Sequence, residues 1–123
     1  MEAKELRIGN LVDMERMDNS WDVHEIRSSY WIEKVETNRD CFKPIPLTED
    51  WLIKFGFNDA YYNTDGDLVY DKVYKGYYFS IYYLVDERIY EFPTITFQDA
   101  KLKHVHQLQN LYFALTGEEL EIK

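Results

Sequence analysis

The first third of the chain alternates short apolar segments with polar turns. Apolar side chains recur at close spacing in three stretches, 6–12, 21–26 and 30–35. The cluster Met17-Asp18-Asn19-Ser20 has the composition of a tight turn. Three or four short strands with tight connections predict a small, strongly curved antiparallel sheet in this part, or a small SH3-like barrel.

Residues 44–57 predict an extended entry into a short helix. Prolines 44 and 46 favour extended backbone before each of them. Thr48 is a typical N-cap residue, and the two acidic residues that follow it favour the first turn of a helix. Gly56 stands where a left-handed residue commonly ends a helix. We therefore predict a helix at about 49–55, with an apolar stripe of Trp51, Leu52 and Phe55.

The pattern from 61 onwards predicts a β-meander with two hairpin turns. Asp65-Gly66 favours a two-residue type I′ turn, because both residue types tolerate positive φ. If Lys75-Gly76 is also a two-residue loop, Val73 pairs with Tyr78 and both faces of the sheet are apolar. Short strands are predicted further on, at 89–92 and 94–97.

The clearest helix spans about 104–116. Its apolar stripe consists of Val105, Leu108, Tyr112 and Leu115, and Gly117 follows it. With the strands before it, this helix predicts an α+β fold in which helices cover one face of the meander. The length of 123 residues predicts a single domain, 1–123, with possible sub-lobes at 1–43 and 44–123.

Composition narrows the classes of function. The chain is 46% hydrophobic and 30% charged, which is a globular balance, and its net charge is −9. Because no concentrated cationic segment is present, direct nucleic-acid binding is not expected. Cys41 is the single cysteine, so no intramolecular disulfide can form. The first residues lack a signal-peptide pattern and no apolar run approaches the ~18–20 residues of a membrane span, so we expect a cytoplasmic protein.

Three blocks of the sequence carry a resemblance. They are ELRIGN at 5–10, PIPLTEDWLIKFGF at 44–57 and HVHQLQNLYFALTG at 104–117. In this order they resemble a family of small uncharacterised proteins from Bacteroidetes genomes and from the phages and prophages associated with them. The resemblance implies a phage or mobile-element context and carries no activity or site residue with it.

The sequence contains no recognisable catalytic or metal-binding motif. His104 and His106 are two residues apart, which places them on different faces of a helix; they converge only if that segment is extended. Neither they nor His24 and Cys41 match a zinc spacing. No glycine-rich phosphate loop or nucleophile elbow occurs. We therefore expect no metal site, no cofactor and no enzymatic activity.

Consecutive aromatic residues are the remaining feature. Neighbours in a strand point to opposite faces, so each pair places one ring on the second face of its sheet. Two interpretations stay open: the rings pack on both sides of the sheet in a layered fold, or they form an exposed contact surface, since tyrosine and tryptophan dominate interface hot spots. The residues predicted on this face, and thus the interaction candidates, are Trp31, Tyr62, Tyr78 and Tyr82.

Three functions are left open by the sequence. The first is a non-catalytic protein-interaction module that binds another protein or a second copy of itself. The second is an acidic phage counter-defence protein that blocks a nucleic-acid-binding enzyme of the host, for which net charge −9 is the motive. The third is a small-ligand-binding protein with a tyrosine-lined pocket.

Overall fold

The computed structural model describes residues 1–93 and 100–122. It confirms the α+β class, with helices and two antiparallel sheets. The chain forms two compact units. The first combines Met1–Pro46 with His104–Leu120, so that the C-terminal helix joins the N-terminal strands, and the second consists mainly of Leu47–Lys103.

The sheet of the first unit has the strand order β2-β1-β3. Its strands are β1 (Leu11–Glu15), β2 (Trp21–Glu25) and β3 (Phe42–Lys43). The predicted turn at 17–20 is present, with Arg16 N–H donating to the Ser20 carbonyl at 2.7 Å. The first strand begins later than predicted, because the segment before it forms a turn closed by Asn10 N–H donating to the Arg7 carbonyl at 3.0 Å.

The prediction of a third strand at 30–35 is wrong. These residues lie in helix α1 (Ser29–Thr37), which begins after Ser28 in extended backbone. Val35 is buried, and Trp31 and Ile32 are half-buried against the same core. The spacing i, i+1, i+4 places these three side chains on one face of a helix, whereas a strand would divide them between two faces. In the described part of the first unit the strands therefore form a three-stranded sheet and not a barrel.

Helix α3 (Val105–Thr116) confirms the predicted C-terminal helix. His104 is its N-cap residue and Gly117 ends it in a left-handed conformation, φ 75°. The buried side chains of α3 include Val105, Leu108 and Tyr112. The main apolar cluster elsewhere in the first unit consists of Ala3, Leu6, Val12, Ile26, Val35 and Phe42.

A buried polar network ties α3 to the turn that precedes β1. Asn10, which is fully buried, accepts from Arg7 N–H through Oδ1 and donates through Nδ2 to Asn110 Oδ1, both at 2.7 Å. Asn110 in turn donates to the Glu5 carbonyl at 3.0 Å. Gln109 accepts from Leu11 N–H at 2.8 Å. Every one of these polar groups is satisfied by another group of the same unit, as buried polar groups require.

The sheet of the second unit has the order β4-β5-β6-β7-β8. The strands are β4 (Tyr61–Tyr62), β5 (Leu68–Tyr74), β6 (Tyr77–Leu84), β7 (Ile89–Phe92) and β8 (Ala100–Leu102). The predicted hairpin at Lys75-Gly76 is confirmed: both residues have positive φ, 48° and 84°, and Val73 pairs with Tyr78. The strand predicted at 94–97 lies outside the described residues.

The predicted type I′ turn at Asp65-Gly66 is wrong. A β4–β5 hairpin forms, but Gly66 alone of the two has positive φ, 83°. The loop spans Asn63 to Asp67, and the Asn63 side chain organises it by accepting from the backbone N–H groups of Asp65 and Asp67 at 2.9 and 3.0 Å. This side-chain capping substitutes for the tight turn.

Helix α2 (Glu49–Lys54) packs on one face of the second sheet. Thr48 caps it as predicted, accepting from Trp51 N–H at 3.4 Å, and Gly56 follows with φ 91°. Among the described residues of the second unit, α2 is the only helix, because α3 belongs to the first unit. The core beneath it comprises Leu52, Phe55, Phe57, Tyr70, Phe79 and Ile81.

Candidate functional site

The face of the second sheet that does not carry α2 is rich in tyrosine. Register places Tyr61 beside Val69 and Val69 beside Tyr82, while Val73 pairs with Tyr78 four residues further along β5. Paired residues share a face, so these side chains project together. We call Tyr61, Val73, Tyr78 and Tyr82, with Asp71 and Ser80 between them, the tyrosine face. Tyr61, Val73 and Tyr78 are 53%, 59% and 70% exposed.

Asp71 holds the centre of the tyrosine face. Its Oδ2 accepts from the Tyr61 hydroxyl at 2.9 Å, and its Oδ1 accepts from the Ser80 hydroxyl. The hydrogen bond to Asp71 raises the pKa of Tyr61, because ionisation would remove the donated proton beside a carboxylate. Both hydroxyls are thus protonated donors, and they fix the orientation of the carboxylate.

The tyrosine face differs in part from the predicted set of residues. Tyr78 and Tyr82 lie on it, and their role in binding stays a prediction. The placement of Trp31 on a sheet face is wrong, because it lies in α1 with its ring centroid 4.2 Å from that of His24. The placement of Tyr62 is also wrong, since it pairs with Leu68 and so faces the other side. Tyr61, which was missed, takes its place.

A cleft of about 610 Å³ opens on the other side of the same unit. The rings of Tyr83 and Tyr90 lie in its wall with centroids 4.8 Å apart. Beneath it the buried Tyr70 donates to Glu49 Oε2 at 2.6 Å, and burial, with this bond, raises the pKa of Tyr70 far above its usual value. The charged side chains of the lining are Glu49, Glu87, Arg88 and Lys103.

The two histidines at the start of α3 stack on each other. His104, as the N-cap, is extended, and its ring centroid lies 5.7 Å from that of His106 with nearly parallel planes. They therefore converge in the one way that the spacing allowed. His106 is fully buried, and its Nε2 lies 3.6 Å from Glu5 Oε1. Burial lowers the pKa of His106, and the Glu5 carboxylate opposes this only in part.

This depressed pKa predicts a loss of stability in mild acid. The unfolded chain binds a proton near pH 6.5, whereas the folded chain keeps His106 neutral to lower pH. The contribution of neutral His106 to the free energy of unfolding is therefore complete above pH 6.5. It is lost as the pH falls toward the pKa of the folded state, by at most about 1.4 kcal/mol per pH unit. The free energy of unfolding, measured by urea titration between pH 7.5 and 5.5, should change less with pH for His106→Leu than for the wild type. The pKa of Glu5 is lowered from 4.5, so the contribution of Glu5 to stability is lost only at still lower pH. An equal pH dependence of stability in both proteins would contradict the assignment to His106.

Other chemistry is sparse in the described residues. Within 1–93 and 100–122, no group of three or more histidine, cysteine or acidic side chains has metal-binding geometry. Over the same residues, no helix has the length and apolar character needed to cross a bilayer. Cys41 is half-buried with a free thiol.

Comparison with known proteins adds no relative. No protein-family model, curated protein or solved structure matches the chain.

Proposed function

We propose that this protein is a non-catalytic interaction module that binds a partner protein through the tyrosine face. The observation that carries the proposal is the exposure of Tyr61, Tyr78 and Val73 on one side of a sheet whose other side is packed, with the half-buried Tyr82 beside them. Exposed aromatic rings that lie together are typical of interface hot spots, because they bury a large area at a low entropic cost. The proposal places this binding in the cytoplasm, in the phage or mobile-element context that the sequence resemblance implies.

Charge favours a different protein over a second copy as the partner. The net charge of −9 makes two copies repel each other at long range. A protein with a basic surface is instead attracted, and electrostatic steering speeds its encounter with the chain. The partner that fits best is therefore a protein with a positively charged docking surface.

The chain offers a matched pair of variants for testing this proposal. Tyr77 and Tyr78 are adjacent and are 78% and 70% exposed, but they project from opposite faces of β6. A partner captured from host lysate by the tagged protein should be identified by mass spectrometry, purified, and titrated calorimetrically. We expect Tyr78→Ala to weaken its binding by about ten-fold or more, and Tyr77→Ala to leave it unchanged.

Other outcomes of these measurements would contradict the proposal. If both variants bind like the wild type, the tyrosine face is not the interface. If wild-type protein dimerises in analytical ultracentrifugation and Tyr78→Ala makes it monomeric, the occupant is a second copy. Repeating the titration at two salt concentrations tests the charge argument, because a basic partner should bind more weakly at high salt.

The acidic balance favours a narrower candidate within the same class. A protein of net charge −9 can occupy the basic channel of a nucleic-acid-binding enzyme of the host and block it, as a counter-defence protein would. The captured partner would then be a nuclease or a related enzyme, and the purified protein should inhibit it. Inhibition that competes with nucleic acid would support this candidate, and unaltered activity at saturating protein would reject it.

The cleft beside Tyr83 and Tyr90 favours a second candidate, a small-ligand-binding protein. Its volume of about 610 Å³ and its aromatic wall suit a small organic ligand. A ligand that binds the folded state raises the melting temperature by mass action. A metabolite panel should therefore contain a compound that raises the Tm of wild-type protein but not of Tyr90→Leu. No shift across the panel would count against this candidate.

A further inference from the structure

We infer that the partner docks by seating an arginine side chain on Asp71 between the tyrosine rings. This inference rests on the proposed protein-binding function and specifies the chemistry that the tyrosine face selects.

The first support is a carboxylate with spare acceptor capacity. An ionised carboxylate has about four lone-pair positions. The hydroxyls of Tyr61 and Ser80 use one on each oxygen of Asp71. One position on each oxygen remains, which is the pattern that the two parallel N–H groups of a guanidinium match.

The second support is the lack of a counter-ion within the described part of the chain. None of the ion pairs there includes Asp71. Lys72, the next residue, projects from the other face and donates to the Phe55 carbonyl at 2.9 Å. Lys101 shares the face of Asp71 by register but pairs with Glu91. Among the described residues, therefore, no cation already occupies this carboxylate.

The third support is the aromatic surround. The flat side of a tyrosine ring attracts cations, and a planar guanidinium also stacks on it. Tyr61 is fixed beside the carboxylate by its hydrogen bond, and Tyr78 and Tyr82 flank Ser80 on the neighbouring strand. Lysine offers a point charge without the planar fork, so arginine fits this combination of rings and carboxylate better.

The direct test uses a capped peptide, acetyl-Gly-Arg-Gly-amide, and its citrulline counterpart, which has the same shape but no charge. In a ¹⁵N-resolved NMR titration, the arginine peptide should shift the amides of residues 71, 78, 80 and 82 in a saturable way. The citrulline peptide should not. Asp71→Asn should weaken the arginine response by about ten-fold, because a charge-assisted pair is replaced by a neutral contact.

Comparison of variants in the partner assay separates this inference from the function beneath it. If Tyr78→Ala and Asp71→Asn both weaken the purified partner while Tyr77→Ala does not, both statements hold. If Tyr78→Ala weakens it and Asp71→Asn does not, the face binds a partner without the arginine, and the inference is overturned alone. If neither Tyr78→Ala nor Asp71→Asn weakens partner binding, both the inference and the proposed function are overturned. Equal NMR responses to arginine and citrulline, or shifts confined to other surfaces, would also overturn the inference.

Discussion

Replacing Asn10 with alanine should lower the free energy of unfolding by about 2–4 kcal/mol. The side chain is fully buried and bonds on both sides, accepting from Arg7 N–H and donating to Asn110. Alanine leaves the Arg7 N–H without its acceptor and leaves Asn110 Oδ1 with only the Arg7 Nε–H as a donor, at 3.2 Å, and it creates a cavity as well. Both losses act in the folded state, so urea unfolding should register them as a lower midpoint with an unchanged slope.

Asn38→Ala is the matched control for this prediction. Asn38 is exposed, and its amide donates only to the neighbouring Thr37 hydroxyl at 3.2 Å. We expect its effect to stay within about 0.5 kcal/mol, as for other surface substitutions. A double-mutant cycle of Asn10 with Asn110 should show coupling, since each alanine removes the same hydrogen bond. Equal costs at positions 10 and 38 would contradict the structural role assigned to Asn10.

This network gives a physical meaning to two of the sequence blocks. ELRIGN supplies Arg7 and Asn10, and the C-terminal block supplies Gln109 and Asn110, so the two blocks meet through hydrogen bonds. Arg7 adds a cation–π contact, its guanidinium lying 4.1 Å from the centroid of the Phe113 ring. The middle block provides the cap and core side chains of α2. These residues have structural roles, and none of them lies on the tyrosine face.

Local chemistry was sufficient to predict some elements. Thr48 and Gly117 mark helix boundaries, because capping and left-handed termini depend on one or two residues. The Lys75-Gly76 loop fixed the register of β5 against β6 for a similar reason. Sequence separation in each case is a few residues, so tertiary contacts had little opportunity to override the local preference.

The misplacement of Tyr62 shows where such reasoning fails. A two-residue turn at Asp65-Gly66 would pair Tyr62 with Val69 and put it on the tyrosine face. The actual loop pairs Tyr61 with Val69, a shift of one residue that exchanges the two faces. The loop length depends on capping by Asn63. Asparagine is a residue type that caps turns through its side chain, and at Asn63 this preference overrides the Asp-Gly preference for a two-residue turn.

The failure at Trp31 has another cause. A short apolar run of 30–35 satisfies both strand and helix periodicity, and six residues are too few to separate them. The helix forms because Trp31, Ile32 and Val35 all pack against one core on one side of α1. That core also includes Ala3 and Val12, which lie far before α1 in the sequence. Tertiary packing therefore selects the helix from the two elements that the local pattern allows.

Leu52→Ala should cost about 2–5 kcal/mol of stability, while Ile53→Ala on the same helix should cost less than about 1 kcal/mol. The two residues are adjacent aliphatic side chains of equal size, but Leu52 is 0% exposed and Ile53 is 41% exposed. Truncating Leu52 removes apolar contacts and leaves a cavity under α2, whereas truncating Ile53 mostly trims a side chain that water already reaches. Helix propensity cannot explain such a difference, because alanine favours the helix at both positions.

Urea unfolding of both variants measures this difference directly, and the reading also bears on the tyrosine face. The proposed binding through that face requires β5 and β6 to stay paired, and α2 covers the opposite side of the same strands, with Lys72 of β5 donating to the Phe55 carbonyl. We therefore expect Leu52→Ala to weaken partner binding only near its own unfolding transition, and Tyr78→Ala to weaken it at every temperature. A Leu52→Ala protein as stable as Ile53→Ala would show that α2 does not hold the sheet as the structure indicates.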